Sequence, residues 1–251
     1  MIVTAIQTGI VSCDEAKQMI AAHKGSDLYV LPEMWNTGFT VDPQQCAVTE
    51  PDARRMMSCM AQECDAAVAG SMAVRLENGQ YLNRFYFAEP DGKVSHYDKH
   101  HLFTLAGEDK AFAAGQERTV VEYRGVRIML LVCYDLRFPA WSRNQEDYDC
   151  IIYVANWPTL RIEPMRTLLK ARAIENQCYV VGVNRVGGLF GGCSAIIGPD
   201  GTAIKEASAD SYEAITADID MPALMKLRKK FPFLKDRDDY TLSIDRHDAG
   251  I

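Results

Sequence analysis

Short unbroken apolar runs recur along the chain, rich in β-branched and aromatic residues, and longer stretches between them return to an apolar residue every three or four positions. The first pattern is that of strands buried on one or both faces and the second that of amphipathic helices. It predicts strands over residues 2–8, 27–31, 66–75, 82–89, 94–98, 119–123, 127–133, 150–155, 178–184, 194–197 and 214–218. Helices are predicted over 14–23, 51–64, 162–175 and 222–230, the first opening with Asp14 as its cap. Two turns, Glu89-Pro-Asp-Gly92 and Gly198-Pro-Asp-Gly201, place proline where φ is preset and glycine where it must be permissive, so each should join two strands as a hairpin. The chain thus begins as strand-helix-strand units and becomes richer in hairpins, and no linker or low-complexity segment divides it. Similarity between its halves is too weak to establish a duplication.

Composition narrows the class. The 251 residues are 48% hydrophobic and 24% charged, as expected of a globular chain with a full core, and one domain over 1–251 is the simplest division. A formal net charge of -7, with basic residues interspersed among acids, argues against a general nucleic-acid binder. The densest basic stretch, Arg228-Lys-Lys230, reads as a solvated helix face. No basic leader precedes the first apolar segment and no run of about 18 apolar residues occurs, so the expectation is a cytoplasmic protein without membrane contact. Cysteines 13, 46, 59, 64, 133, 150, 178 and 193 form no Cys-x-x-Cys pair and sit mostly in apolar segments, which predicts reduced, buried thiols.

Three predicted strands end in reactive groups: Glu33 after Leu-Tyr-Val-Leu-Pro, Lys99 after His-Tyr-Asp, and Cys133 after Ile-Met-Leu-Leu-Val. Taken singly, each has a commoner reading as a rim carboxylate, a solvated hairpin lysine or a small buried hydrophobe. Ligands meet open α/β sheets where such strands end, and together the three supply a base, an electrophilic stabiliser and a nucleophile. Burial of Glu33 would raise its pKa toward neutrality, and an ammonium beside the thiol would favour thiolate. The turn after Cys133 leaves the backbone N–H of Tyr134 able to face a substrate oxygen. Rival constellations exist. His96, Asp98 and His100 alternate along one strand and, with His101, form a conceivable metal set, and either His100 or His101 is a conceivable partner for a papain-like thiol. Gly187-Gly-Leu-Phe-Gly-Gly192 lacks the ending of a phosphate loop and reads as a flexible loop.

Leu31-Pro-Glu-Met34, Tyr97-Asp-Lys-His-His-Leu-Phe103, Val132-Cys-Tyr-Asp-Leu-Arg-Phe-Pro139, Ala155-Asn-Trp-Pro158 and Arg172-Ala-Ile-Glu-Asn-Gln177 resemble the motifs of the nitrilase superfamily of carbon-nitrogen hydrolases, over nearly the whole chain to about Phe233. The wording is most similar to the omega-amidase branch, especially its bacterial members. The resemblance implies an α/β four-layer α-β-β-α sandwich, a homodimer with residues 232–251 at the subunit interface, no metal and no organic cofactor. It maps a triad onto Glu33, Lys99 and Cys133, with a second glutamate on Glu108. It further implies a small-molecule amide substrate, the omega-amide of a dicarboxylic keto acid such as 2-oxoglutaramate or 2-oxosuccinamate, cleaved to the dicarboxylate and ammonia through a thioester. Alternatives are another amidase of the superfamily, acting on a peptide-like or aliphatic amide, or a true nitrilase. A distal carboxylate needs a cation, for which Arg161 is the candidate against a commoner reading as a solvated helix-start arginine. Phe39, Phe103 and Trp157 are candidate walls. Met165 stands where many relatives carry tryptophan, a departure that matters if it borders the pocket. Arg137 reads as a buried partner of Asp135.

Overall fold

The computed structural model describes residues 1–242 of the chain. Its strands are β1 (Ile2–Gln7), β2 (Leu28–Val30), β3 (Val48–Thr49), β4 (Ala67–Arg75), β5 (Tyr81–Ala88), β6 (Val94–Asp98), β7 (Val120–Tyr123), β8 (Val126–Val132), β9 (Cys150–Ala155), β10 (Tyr179–Asn184), β11 (Val186–Gly187), β12 (Phe190–Gly191), β13 (Ala195–Ile197), β14 (Ala203–Glu206) and β15 (Glu213–Asp218). The helices are α1 (Cys13–Ala22), α2 (Glu50–Cys64), α3 (Glu108–Ala111), α4 (Pro139–Ser142), α5 (Ile162–Asn176) and α6 (Met221–Lys230). One sheet runs β15-β1-β2-β4-β5-β6, with β3 paired beside β4, and a second runs β14-β13-β10-β9-β8-β7.

Alternation along the strands explains why two sheets stack. In the first sheet Val3, Ala5, Leu28, Val30, Phe85 and Phe87 point into a core shared with Ile128, Leu130, Val132 and Val154 of the second. Their neighbours Ile6, Tyr29, Val68, Met72 and Tyr86 point outward and are covered by Ala16 and Ile20 of α1 and Ala53, Met57 and Met60 of α2. Met165, Leu169 and Ala173 of α5 join the core around the second sheet. There Gly182 of β10 lets the helix sit close, because a Cβ at that position would lie 2.6 Å from a methyl of Leu169. The layers are therefore α-β-β-α, as the resemblance implies.

Most strand and helix boundaries fall within a residue or two of expectation, and the exceptions have local causes. Helix α1 is capped by Ser12, which accepts from the Glu15 backbone N–H at 3.3 Å while Glu15 accepts from that of Ser12 at 2.7 Å. Asp14 is instead an acidic first-turn residue, and the Ser-x-x-Glu signature of a capping box was the better guide. Strands β3, β11 and β12 have two residues each, too few to show a period. Arg228 is not solvated: it donates to Asp149 at 2.7 Å and to the carbonyls of Gln177 and Tyr148 at 2.9 Å each, binding α6 to the second sheet. Of the cysteines only 150, 178 and 193 are fully buried, although all are free. Within the predicted tail, Leu234 is buried and Tyr240 donates to the Ala140 carbonyl at 2.6 Å, whereas residues 243–251 lie outside the described residues. Among the described residues no helix is long and apolar enough to cross a membrane.

Candidate active site

The strands β2 and β6 of the first sheet and β8 and β9 of the second deliver their C-terminal ends to one edge of the sandwich. Beyond β2 the ladder continues through the Leu31 N–H to the Ala69 carbonyl at 2.8 Å, and the chain then turns at Met34, whose φ of 44° is left-handed. Ser71 fixes this turn by accepting from the Met34 N–H at 3.0 Å, and Glu33 is left pointing inward with none of its surface exposed. Lys99 extends β6 by one bond, its N–H to the Asn83 carbonyl at 3.0 Å, and it too is buried. Gly115 passes so close behind it that a Cβ there would lie 2.1 Å from the Asp98 carbonyl oxygen.

Cys133 follows directly on β8 at a φ of 46°, a conformation rare for a residue with a Cβ. The buried carboxylate of Asp135 holds this elbow. It accepts from the N–H groups of Val132 (3.0 Å) and His101 (2.9 Å) and from the Tyr97 hydroxyl (2.9 Å), and it pairs with His101 Nδ1 at 2.9 Å. Tyr97 in turn accepts from Trp141 Nε1 at 3.0 Å.

Around these ends lies a closed charge network. Lys99 Nζ donates to Glu33 Oε1 at 3.0 Å and to the two oxygens of Glu108 at 3.0 and 2.8 Å. Burial opposes its charge, but Glu33, Glu108 and the nearby thiol outweigh that and hold the ammonium well above the usual lysine range. Asn83 donates to Glu33 Oε1 at 2.8 Å and Glu108 Oε1 at 3.1 Å, and the Phe103 N–H donates to Glu108 Oε2 at 2.7 Å. Asn156 donates to Glu33 Oε2 at 3.1 Å. For Cys133, burial and Glu33 push the thiol well above its ordinary range, and Lys99 and the Asn156 backbone N–H pull it back only in part. Lys99 thus favours the thiolate, as the sequence suggests, but desolvation and the carboxylate outweigh it.

A cavity of about 590 Å³ opens over Lys99 and Cys133. Phe39, Phe103, Tyr134, Trp157 and Arg161 line it as the sequence suggests, together with Leu105, Leu189 and Phe190. Arg137 lines it too, contrary to expectation. It is exposed rather than buried, and it lies over the Trp157 ring at 4.8 Å instead of pairing with Asp135, whose oxygens are already taken by the elbow. Arg161 lies over Phe103 at 5.2 Å, and among the described residues neither guanidinium has an ion pair. Met165 is buried in the core and does not border the cavity. The histidines diverge: His100 Nδ1 meets the Gly115 carbonyl, His101 Nδ1 meets Asp135, and Asp98 is taken by Arg84 at 2.6 Å. No group of three or more His, Cys, Asp or Glu among the described residues is arranged to hold a metal ion. The site residues missed from sequence are Asn83, a polar residue beside Arg84 in an otherwise apolar strand, and Asn156, which stands in the Ala155-Asn-Trp-Pro158 motif but whose own role the motif does not reveal.

The family model for carbon-nitrogen hydrolases matches residues 3–229. The chain is similar to the omega-amidase YafV of Escherichia coli strain K12, 47% identical over 223 residues that cover 87% of each chain. It is also similar to the 2-oxoglutaramate amidase of Bacillus subtilis, 34% identical over 224 residues and 85% of each. The solved structure of XC1258 from Xanthomonas campestris, a CN-hydrolase superfamily protein with an arsenic adduct in its active site, superposes with a TM-score of 0.92 at 35% identity, covering 97% of this chain and 99% of that one.

Proposed function

The chain belongs to the carbon-nitrogen hydrolase family and is a hydrolase of carbon-nitrogen bonds outside peptides, and from that premise we propose that it is an omega-amidase working through a thioester on Cys133. One observation carries the reading: a buried ammonium, bonded at 3.0 Å to Glu33 and at 2.8 Å to Glu108, faces the same cavity as the thiol. In this reading Glu33 takes the thiol proton as the sulfur bonds to the amide carbon. Negative charge then develops on the carbonyl oxygen, held by Lys99 and the backbone N–H of Tyr134. Glu33 returns the proton to nitrogen, collapse breaks the carbon-nitrogen bond, and ammonia leaves. A water enters, Glu33 deprotonates it, hydroxide opens the thioester, and the sulfur recovers its proton. Glu108 holds Lys99 and fixes where the oxyanion can sit. A neutral resting thiol suits this sequence, because a general base is then needed.

For the acyl group we propose an omega-amide of a dicarboxylic keto acid, 2-oxoglutaramate or 2-oxosuccinamate. Arg137 and Arg161, which lie over aromatic faces at the cavity wall and have no ion pair among the described residues, are suited to a distal carboxylate. A second reading, a larger and more apolar amide, is favoured by Leu105, Leu189 and Phe190 at the mouth. For the expected second subunit, the exposed side chains of Ile174, Met225, Phe231 and Phe233 offer apolar surface. The test is ammonia release from a panel of small omega-amides, aliphatic amides and nitriles. The keto-acid amides should lead, Cys133→Ala should be folded and inert, and Lys99→Ala should lose roughly 100-fold or more, the usual penalty for an oxyanion donor. Preference for a nitrile, or full turnover by Cys133→Ala, would overturn the reading.

A further inference from the structure

Asn156 follows β9 and lines the cavity beside Lys99, Cys133 and Tyr134, with 7% of its surface exposed. Its carboxamide can sit only one way round. Nδ2 donates to the Glu33 carbonyl at 2.9 Å and to Glu33 Oε2 at 3.1 Å, and both of these atoms can only accept. The opposite atom, Oδ1, is buried and accepts no hydrogen bond among the described residues. A buried acceptor without a donor is unfavourable, so the donor that suits it is to be sought in what the cavity binds. The two oxygens of Glu33 also differ. Oε1 is held by Lys99 and Asn83, whereas among the described residues Oε2 is bonded to Asn156 alone, which leaves Oε2 the freer oxygen for proton transfer, bonded to the same carboxamide that carries the unpaired acceptor.

We propose that Asn156 Oδ1 accepts an N–H of the carboxamide under attack, which makes Asn156 a specificity-determining residue for primary amides over esters of the same acyl group. The inference rests on the amidase reading above. When the sulfur bonds to the carbonyl carbon, the oxyanion turns toward Lys99 and the Tyr134 N–H, and the nitrogen must turn toward Glu33 to be protonated. Once Glu33 has delivered its proton, the nitrogen carries three hydrogens and a positive charge. One N–H reaches Oδ1, and the carbon-nitrogen bond breaks with its electron pair on nitrogen, the carbonyl re-forms, and neutral ammonia departs. The bond to Oδ1 is strongest while the nitrogen is charged, so it favours the transition state over the bound substrate. An ester oxygen has no hydrogen there and sets lone pairs against lone pairs, a mismatch that a polar site penalises heavily.

The experiment compares kcat/KM for an omega-amide with that for the omega-methyl ester of the same acid, in the wild type, Asn156→Ala and the volume-filling Asn156→Leu. Loss of the Nδ2 hold on Glu33 slows both substrates, and the amide more, because its nitrogen depends on the Glu33 proton; Asn83→Ala, which also releases a bond to Glu33 but leaves Asn156 intact, measures that effect by itself. The amide-to-ester ratio should fall about tenfold or more below that of Asn83→Ala in both Asn156 variants, the worth of one such bond. A ratio no lower than that of Asn83→Ala, in variants whose Cys133 still alkylates with iodoacetamide, overturns the proposal and leaves Asn156 as a positioning residue for Glu33. If the wild type ignores keto-acid amides but cleaves another primary amide, the substrate assignment fails and the ratio is measured on that amide and its ester. Inertness of the wild type toward every primary amide would end both.

Discussion

Cys133 shows how a single side chain is tuned by competition. Burial and Glu33 disfavour the thiolate more than Lys99 and the Asn156 N–H favour it, so the thiol lies well above its ordinary value of 9.0. Below its pKa a thiol gains reactive thiolate about tenfold per pH unit, so alkylation of Cys133 by iodoacetamide, followed by peptide mass, should keep climbing from about pH 6 to 9. A plateau below about pH 8 would mean that Lys99 wins instead. At this scale the sequence exposed charged and nucleophilic residues at strand ends but not the amides between them. Asn83 stands beside Arg84 in an otherwise apolar strand and Asn156 within a motif, and only their partners in space reveal that each bonds to the Glu33 carboxylate. Arg137 was misplaced for a similar reason, since proximity in sequence to Asp135 says nothing about which of them faces the cavity.

At the scale of the element, the elbow after β8 is held mainly by Asp135. Its carboxylate gathers the Val132 and His101 N–H groups, the Tyr97 hydroxyl and the His101 ring, so its removal strands several buried donors at once. Each stranded donor is unfavourable by about 1–3 kcal/mol, and Asp135→Ala should therefore destabilise the fold by about 3 kcal/mol or more in urea titration and slow turnover by releasing Cys133 from its left-handed turn. Asp135→Asn, which keeps the shape but offers one acceptor oxygen in place of two, should fall between it and the wild type. Elements with a long period or a defined turn are legible in the sequence: the apolar strands, α2, α5, and the hairpins at Gly92 and Gly201. The two-residue strands were not, because they arise from neighbours and not from their own pattern.

For the whole molecule, alternation within β1, β2, β4 and β5 implies covered faces, yet periodicity alone does not say that two sheets meet back to back. That came from the motif resemblance, and the pairing of Val3 and Ala5 with the shared core bears it out. The two sheets also divide the labour. Glu33 and Lys99 belong to one, Cys133 and Asn156 to the other, and among the bonds that join the halves of the site is the one from Asn156 to Glu33. A displacement of about 1 Å between reacting groups can slow an enzyme about a hundredfold, while it barely disturbs the packing of a layer. Mild denaturant should accordingly silence this protein by slippage before it melts: ammonia release should vanish at a lower urea concentration than the helical circular dichroism signal, and coincident midpoints would show that the layers part only when everything does.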